Sequence, residues 1–275
     1  MISEETNQIL SLAKGVLEKK VTEPFKGSFG KDLSERRIET PWVASFFKGG
    51  ETVLDVGFTM SSHDYLGLLL ELIQKYDVDI EAIDIIEPQN VLKRYPVEWV
   101  DEILKVPVTL GDLRNVSILN ERYDFATCIS TIEHIGFDSQ ASTGNKESAF
   151  ERALKPEDVQ TMRDPDTNNK VLNQFHRALK PGGLLLISVP MGRGGPVLLK
   201  DSLGYYCAQW EYEEKSWSEI ANHPGFELLE EKFFIRTPET LWCQVTCPGD
   251  LKSQSSSLRP HAEGCALAAL RKKLV

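Results

Sequence analysis

The chain of 275 residues lacks an excess of positive charge: 31 Lys and Arg stand against 41 Asp and Glu, a formal charge of −10. Such a field repels a polyphosphate backbone, and no segment concentrates Lys and Arg enough to override it, so duplex DNA and long RNA are not expected partners. A long apolar run is also missing. The densest stretches, residues 66–73 and 184–190, fall far short of the roughly 20 residues of a membrane span. Residues 1–10, with Glu4 and Glu5, show no apolar core of a secretory signal. The expectation is a cytoplasmic protein that does not engage a membrane. Cysteine is scarce and odd in number: Cys128, Cys207, Cys243, Cys247 and Cys265, of which only Cys243 and Cys247 are close, as C-x3-C with no matching Cys or His pair. Reduced thiols are expected, and no metal site. Nor does any strand-to-helix turn carry G-x-G-x-x-G, so the pyrophosphate seat of a nicotinamide enzyme is absent.

What is present is an ordinary folded composition, 41% hydrophobic and 26% charged. The length suits either two domains or one large α/β domain. Short β-like runs alternate with amphipathic helical stretches, the pattern of a parallel sheet covered on both faces. Strands are predicted over residues 52–56, 80–85, 106–110, 125–129 and 184–189, with two more over 227–234 and 265–270, seven in all. Between the first two, Leu66, Leu69, Leu70 and Ile73 recur at i, i+3, i+4, i+7 and predict a helix over residues 65–75. Residues 1–50 read as an N-terminal helical cap over the ligand edge of the sheet, with Trp42, Val43, Phe46 and Phe47 as its apolar patch. Residues 51–275 form the main domain. Within it, residues 138–170 are polar, contain Pro156 and Pro165, and read as a lid loop bordering the ligand. Residues 253–257 read as a surface loop.

Open α/β sheets bind ligands at the carboxyl ends of their strands. The first strand ends in Asp55-Val56-Gly57 and turns into a helix, and a glycine there lets a ligand approach the backbone. The second ends in Asp84, a carboxylate able to accept both hydroxyls of a ribose. The third ends in Gly111-Asp112-Leu113, where a carboxylate beside a backbone N–H suits the amino group and ring nitrogen of adenine. Ser130-Thr131-Ile132-Glu133-His134 follows the fourth strand. Ser130 to Glu133 has the spacing of a helix-starting capping box, and His134 is either a general base or a packing residue.

With these segments on the page, the sequence resembles the class I S-adenosylmethionine-dependent methyltransferases over roughly residues 36–272. Val53 to Gly57, Ala82 to Ile85, Gly111 to Leu113, the segment from Tyr123 to Ile135, and Ala178-Leu179-Lys180-Pro181-Gly182-Gly183-Leu184 carry the resemblance. It implies a Rossmann-like α/β fold: a seven-stranded, mostly parallel sheet with an antiparallel last strand and helices on both faces. It also implies S-adenosylmethionine as cofactor, with Asp55 and Gly57 near its methionine part, Asp84 near the ribose, and Asp112 and Leu113 near adenine. Phe58, Ile85 and Ser130 lie beside them in the expected cofactor cleft. The sequence departs from the family in its turn, where one glycine is followed by Phe58-Thr59-Met60. Lys180-Pro181-Gly182-Gly183 is a type II turn that identifies the family without touching the ligand.

The resemblance implies methyl transfer to an oxygen or nitrogen, with His134 taking the proton of a hydroxyl. A small-molecule acceptor, a sugar or a biosynthetic intermediate, suits the acidic charge. The absence of an Asn/Asp-Pro-Pro-Tyr/Phe run after the fourth strand disfavours methylation of nucleic-acid bases. A non-catalytic nucleoside- or partner-binding protein on the same fold, and an RNA methyltransferase, are the alternatives. Substrate-side candidates are Arg36, Arg37, Arg193, Tyr205, Tyr206, Trp210, Tyr212 and Trp217. Their plainer reading is solvated arginines, and aromatics packed on the sheet. The acceptor and the oligomeric state are not legible.

Overall fold

The computed structural model describes residues 2–137, 163–200, 206–247 and 262–274. Tyr205, the loop at 253–257 and residues 138–162 of the expected lid lie outside the described residues.

Helix α1 (Glu4–Leu17) starts at Ser3, whose hydroxyl accepts the Thr6 N–H at 3.0 Å. It buries Ile9, Leu10, Ala13, Val16 and Leu17, one stripe of a 3.6-residue period. A two-residue strand β1 (Ser28–Phe29) and helix α2 (Arg36–Ala44) follow. The parallel part of the sheet then runs β2 (Thr52–Val56), helix α3 (His63–Tyr76), β3 (Asp79–Asp84), helix α4 (Val100–Ile103), β4 (Val108–Leu110), β5 (Tyr123–Ile129), helix α5 (Thr167–Ala178) and β6 (Leu179–Met191). A hairpin of β7 (Gly195–Lys200) and β8 (Tyr206–Glu211), helix α6 (Glu214–Ala221), and strands β9 (Phe226–Arg236), β10 (Trp242–Val245) and β11 (Gly264–Lys272) complete the described chain.

The main sheet has the order β1-β10-β9-β11-β6-β5-β2-β3-β4, in which β4, β3, β2, β5 and β6 are parallel neighbours and β11 is antiparallel to both β6 and β9. All seven expected strands are present, and the last is antiparallel as expected. The count changes in two places. Strands β10 and β1 extend the β9 edge to nine strands, and β7 and β8 pair separately as a two-stranded sheet. Both additions are antiparallel pairs, and β1 is too short to show a period in sequence.

Alternation along the central strands divides the core between two faces. Leu186, Cys265, Leu267 and Ala269 face α1, α2 and α3, together with Trp42, Leu66, Leu69 and Phe125. Leu185, Ile187, Ala266, Ala268 and Leu270 face α5 and α6, together with Val171, Phe175 and Trp217. The expected apolar patch of the N-terminal segment packs into the first of these: Trp42, Val43 and Phe47 are buried, and the Phe47 and Phe125 rings lie 5.1 Å apart.

Three local expectations are corrected. The polar stretch 138–170 was expected to be loop to its end, but Thr167 is fully buried and opens α5. Residues 191–196, whose glycines read as a flexible loop at a strand end, narrow to a connection of three residues, because Met191 ends β6, Gly195 begins β7, and the Arg193 N–H donates to Glu211 Oε2 at 2.8 Å. Arg36 and Arg37 are not solvated: Arg36 pairs with Glu39, and Arg37 lies 4.8 Å over the Phe29 ring with Nη2 donating to the Pro24 carbonyl at 3.1 Å. Residues 180–183 lie within β6, with Gly182 at φ +78°, and the β5–β6 register shifts between Tyr123 and Phe125 beside them. Among the described residues, no helix is long and apolar enough to cross a membrane.

Trp242 ties the added edge to the N-terminal segment: it is fully buried and its indole N–H donates to the Leu33 carbonyl at 3.0 Å. Trp242→Ala is expected to cost about 3–5 kcal/mol, read from equilibrium chemical denaturation.

Candidate active site

The site begins where β2 ends. Asp55 pairs in register with Thr127 of β5 and Ala82 of β3, so it sits in the middle of the sheet with no access to water. Its Oδ1 accepts from Thr127 Oγ1 at 2.6 Å and from the Tyr65 hydroxyl of α3 at 2.8 Å. Its Oδ2 is buried without a partner among the described residues. Burial pushes the carboxyl up to about 6, with the Asp84 charge adding to the effect.

Gly57 then takes φ +91°, where an L side chain is strained, and a Cβ there would overlap the Thr131 side chain. The single glycine is therefore required both by the turn and by the close approach of the loop after β5. Phe58–Met60 forms one 3-10 turn, with Phe58 fully buried. This turn is fastened over the end of β3. The Thr59 N–H donates to Asp84 Oδ2 at 2.9 Å, Thr59 Oγ1 donates to the Ile86 carbonyl at 2.8 Å, and the Tyr95 hydroxyl donates to the Thr59 carbonyl at 2.7 Å. Asp84 Oδ1 accepts the Ile86 N–H at 3.0 Å, and burial raises the Asp84 carboxyl despite these bonds. Ile85, next to it, is exposed, an apolar surface at the strand end.

At the end of β4 the Gly111 N–H donates to the Asp84 carbonyl at 2.9 Å, which brings Asp112 and Leu113 alongside. Leu113 is buried, and Asp112 is half-buried with both oxygens engaged by Arg114, whose Nε lies 3.1 and 3.0 Å away. Burial opposes the Asp112 charge, but Arg114 outweighs it and holds the carboxyl below its ordinary value.

The turn after β5 differs from expectation. Ser130 and Glu133 do not form a capping box: Ser130 lies at φ +44°, the following Ile132–His134 is a single 3-10 turn, and no side-chain cap bond is made. The Ser130 hydroxyl donates instead to Glu39 Oε1 at 2.7 Å. Glu39 reaches down from α2 and is fully buried. Its Oε1 also accepts from Ser188 Oγ of β6 at 2.5 Å, while Oε2 pairs with Arg36. Sequence reading missed Glu39. The available signal was an acid flanked by Ile38, Trp42 and Val43, on the apolar side of a helix.

Glu133 is buried, with Oε2 unpartnered among the described residues, and burial pushes it up to about 7, Glu39 adding while His134 and Arg36 oppose. His134 is about a third exposed; its Nδ1 lies 2.9 Å from the Ala208 carbonyl and its Nε2 lies 4.0 Å from Glu133 Oε1. Since a carbonyl only accepts, Nδ1 carries a proton, and Nε2 is the acceptor in the neutral ring. The aromatic candidates separate: Tyr212 and Trp217 are buried in the core, while Trp210 is half-buried with the Arg163 guanidinium 4.9 Å from its centroid.

Asp55, Asp64, Asp84, Glu39 and Glu133 are thus five buried carboxylates at one edge of the sheet, and Arg36 is the cation facing Glu39, Asp64 and Glu133. Burial opposes the Arg36 charge, yet these acids outweigh it and hold the guanidinium above its ordinary value. Burial also raises Asp55, Asp64, Asp84 and Glu133 toward the neutral form. Among the described residues, no group of three or more His, Cys, Asp or Glu is placed to hold a metal ion.

Residues 41–231, well over half the chain, match the family model described as a methyltransferase domain. The chain belongs to the class I S-adenosylmethionine-dependent methyltransferases. S-adenosylmethionine is its cofactor. The fold of this methyltransferase is similar to that of a SAM-dependent methyltransferase from Methanosarcina mazei, at 14% identity over 86% of this chain and 98% of that one, with a TM-score of 0.52. It is similar to the [4+2]-cyclase SpnF at 13% identity over 98% and 95% of the two chains, with a TM-score of 0.50. A 1,6-didemethyltoxoflavin-N1-methyltransferase from Burkholderia thailandensis, solved with S-adenosylhomocysteine, matches at 16% identity over 82% and 72%, with a TM-score of 0.46. No curated protein matches the sequence.

The buried acids of the methyltransferase set a pH dependence. Asp55 and Glu133 are held at about 6 and about 7 in the folded protein. Both would titrate near 4 in the unfolded chain. Between those limits the folded protein binds more protons than the unfolded chain, so this contribution to stability is full below about pH 4 and is lost as pH rises through 7. Glu133→Gln removes one such group. Relative to wild type, the variant is expected to gain roughly 1–3 kcal/mol between pH 5 and pH 8 in chemical denaturation. A difference that does not change with pH would show that burial is not holding this carboxyl neutral. Gly57→Ala is expected to destabilise the fold by at least about 1–2 kcal/mol from its positive φ alone, measured in the same assay.

Proposed function

We propose that this methyltransferase seats its cofactor along the ends of β2, β3 and β4 and transfers the methyl to an oxygen or nitrogen of a small molecule. The observation that carries the reading is the acid-rich strand edge, where Asp55 Oδ2 is buried without a partner among the described residues, two positions before the left-handed turn at Gly57. S-adenosylmethionine brings a sulfonium and an ammonium to that edge, two positive charges against one carboxylate, and its methyl is already activated.

Asp55, Gly57, Phe58 and Ser130 would hold the methionine part. Asp84 would hold the ribose: a carboxylate has about four acceptor sites, and the two backbone N–H groups it accepts leave capacity for two hydroxyls. The exposed Ile85 would lie against adenine, with Asp112 and Leu113 at the ring edge. His134, with Nδ1 tied to the Ala208 carbonyl, would present Nε2 as proton acceptor to a hydroxyl. The main work of the chain is then to orient the acceptor and exclude water. The net charge of −10 supports a small acceptor over RNA.

Calorimetry with S-adenosylhomocysteine tests the seat. Binding is expected to wild type, and Asp84→Ala should weaken it at least about tenfold, the value of hydrogen bonds to a charged group. Absence of heat with wild type overturns the reading. For a hydroxyl acceptor, His134→Ala should slow turnover at least about tenfold at nearly unchanged cofactor affinity, since general-base assistance contributes about 10² to 10⁴. Equal turnover returns the residue to packing.

A further inference from the structure

Of the five buried acids, Asp55 and Asp84 are given to the cofactor above, and Asp64 accepts from Thr40 Oγ1 at 3.3 Å. Both oxygens of Glu39 are satisfied, by Ser130, Ser188 and Arg36. Glu133 is left over. It stands in the turn at the carboxyl end of β5, is almost wholly buried, and keeps one oxygen, Oε2, with no donor among the described residues. A buried carboxylate oxygen without a donor is costly, and such orphans are rare enough that a catalytic role is one of the few reasons for them. The α2 side contributes Arg36, already paired with Glu39; its own turn contributes His134, whose nearer nitrogen is 4.0 Å away; β5 contributes Cys128, β11 Cys265 and the end of β8 Tyr212. The Tyr212 hydroxyl donates to Asn168 Oδ1 at 2.9 Å and is not directed to Glu133.

Resting on the cofactor reading above, we propose that Glu133 Oε2 faces the point of methyl transfer and receives a proton from a cationic acceptor nitrogen, which makes the acceptor class an amine. The two groups match chemically: an ammonium is a far stronger acid than an alcohol, so a carboxylate can take its proton, whereas an alcohol would hold on to its own. In the transfer, the nitrogen left by that deprotonation donates its lone pair to the methyl carbon. The carbon–sulfur bond breaks with its electron pair remaining on sulfur, and the N-methylated product and S-adenosylhomocysteine result. A buried negative site also draws a cation toward it and disfavours a neutral hydroxyl compound of the same shape.

Sinefungin tests this without knowledge of the acceptor, because it places an ammonium where the sulfonium methyl stands and otherwise matches S-adenosylhomocysteine. Wild type should bind sinefungin at least about tenfold more tightly than S-adenosylhomocysteine at pH 8, as expected for one charged hydrogen bond. Glu133→Gln should remove that preference while leaving S-adenosylhomocysteine affinity nearly unchanged. A second measurement needs no variant: the preference in wild type should shrink as pH falls from 8 to 6 and the carboxylate takes up a proton. A preference that survives in Glu133→Gln, is absent in wild type, or is flat with pH overturns the proposal. Failure of wild type to bind S-adenosylhomocysteine at all would instead overturn the cofactor reading on which it rests.

Discussion

A carboxylate leaves water at a cost of several kcal/mol unless donors or a cation meet it, and this protein gathers five of them at one edge of its sheet. Glu39 is the one that joins otherwise separate parts. Carried on α2, it accepts hydrogen bonds from Ser130 after β5 and Ser188 of β6, and its other oxygen pairs with Arg36 of the same helix. The N-terminal segment is thereby fastened to the strand ends by polar contacts as well as by the apolar packing of Trp42, Val43 and Phe47. The left-handed conformation of Ser130 and the approach of Thr131 to Gly57 belong to the same arrangement. Asp55 and Glu133, which no cation meets directly, are instead pushed up by burial to about 6 and about 7.

The shortened glycine turn shows how a loop can keep its geometry with fewer glycines. Gly57 alone takes the left-handed conformation. The next residues curl into a 3-10 turn held by the Thr59 N–H on Asp84 and by Tyr95 on the Thr59 carbonyl. Side-chain and backbone hydrogen bonds here supply the shape that further glycines would otherwise permit, and Phe58 fills the core beneath. The turn and the acid at the end of β3 are consequently one unit, and a change in either alters the other.

Membership of the methyltransferase family fixes the cofactor and the fold but not the acceptor. A structure of similar fold bears the name of a [4+2]-cyclase, which illustrates that chemistry resides in the site and not in the sheet. In this chain the turn at 130–134, the hairpin of β7 and β8 and the Arg163–Trp210 contact come from segments later in sequence than Asp55, Asp84 and Asp112.

Much of this was legible in the residues themselves. Dense β-branched and apolar residues marked the seven core strands, most continuously at 184–189, which is covered on both faces. Asp55, Gly57, Asp84 and Asp112 were marked because strand ends are where an α/β sheet meets its ligand. Strands β1 and β10 were not legible, being antiparallel additions of two and four residues, too short to show a period, and β1 pairs a strand more than 200 residues away. The capping-box spacing of Ser130 and Glu133 was misleading, because a hydroxyl bonds whichever acceptor the fold brings nearest, and that acceptor is Glu39, 91 residues away in the chain. Local pattern thus determined the seven core strands, the sheet class and the acid-bearing strand ends. Only the tertiary structure decided which carboxylates are buried, which are satisfied, and that one Glu133 oxygen is buried with no donor among the described residues, because burial and pairing are properties of distant segments meeting in space.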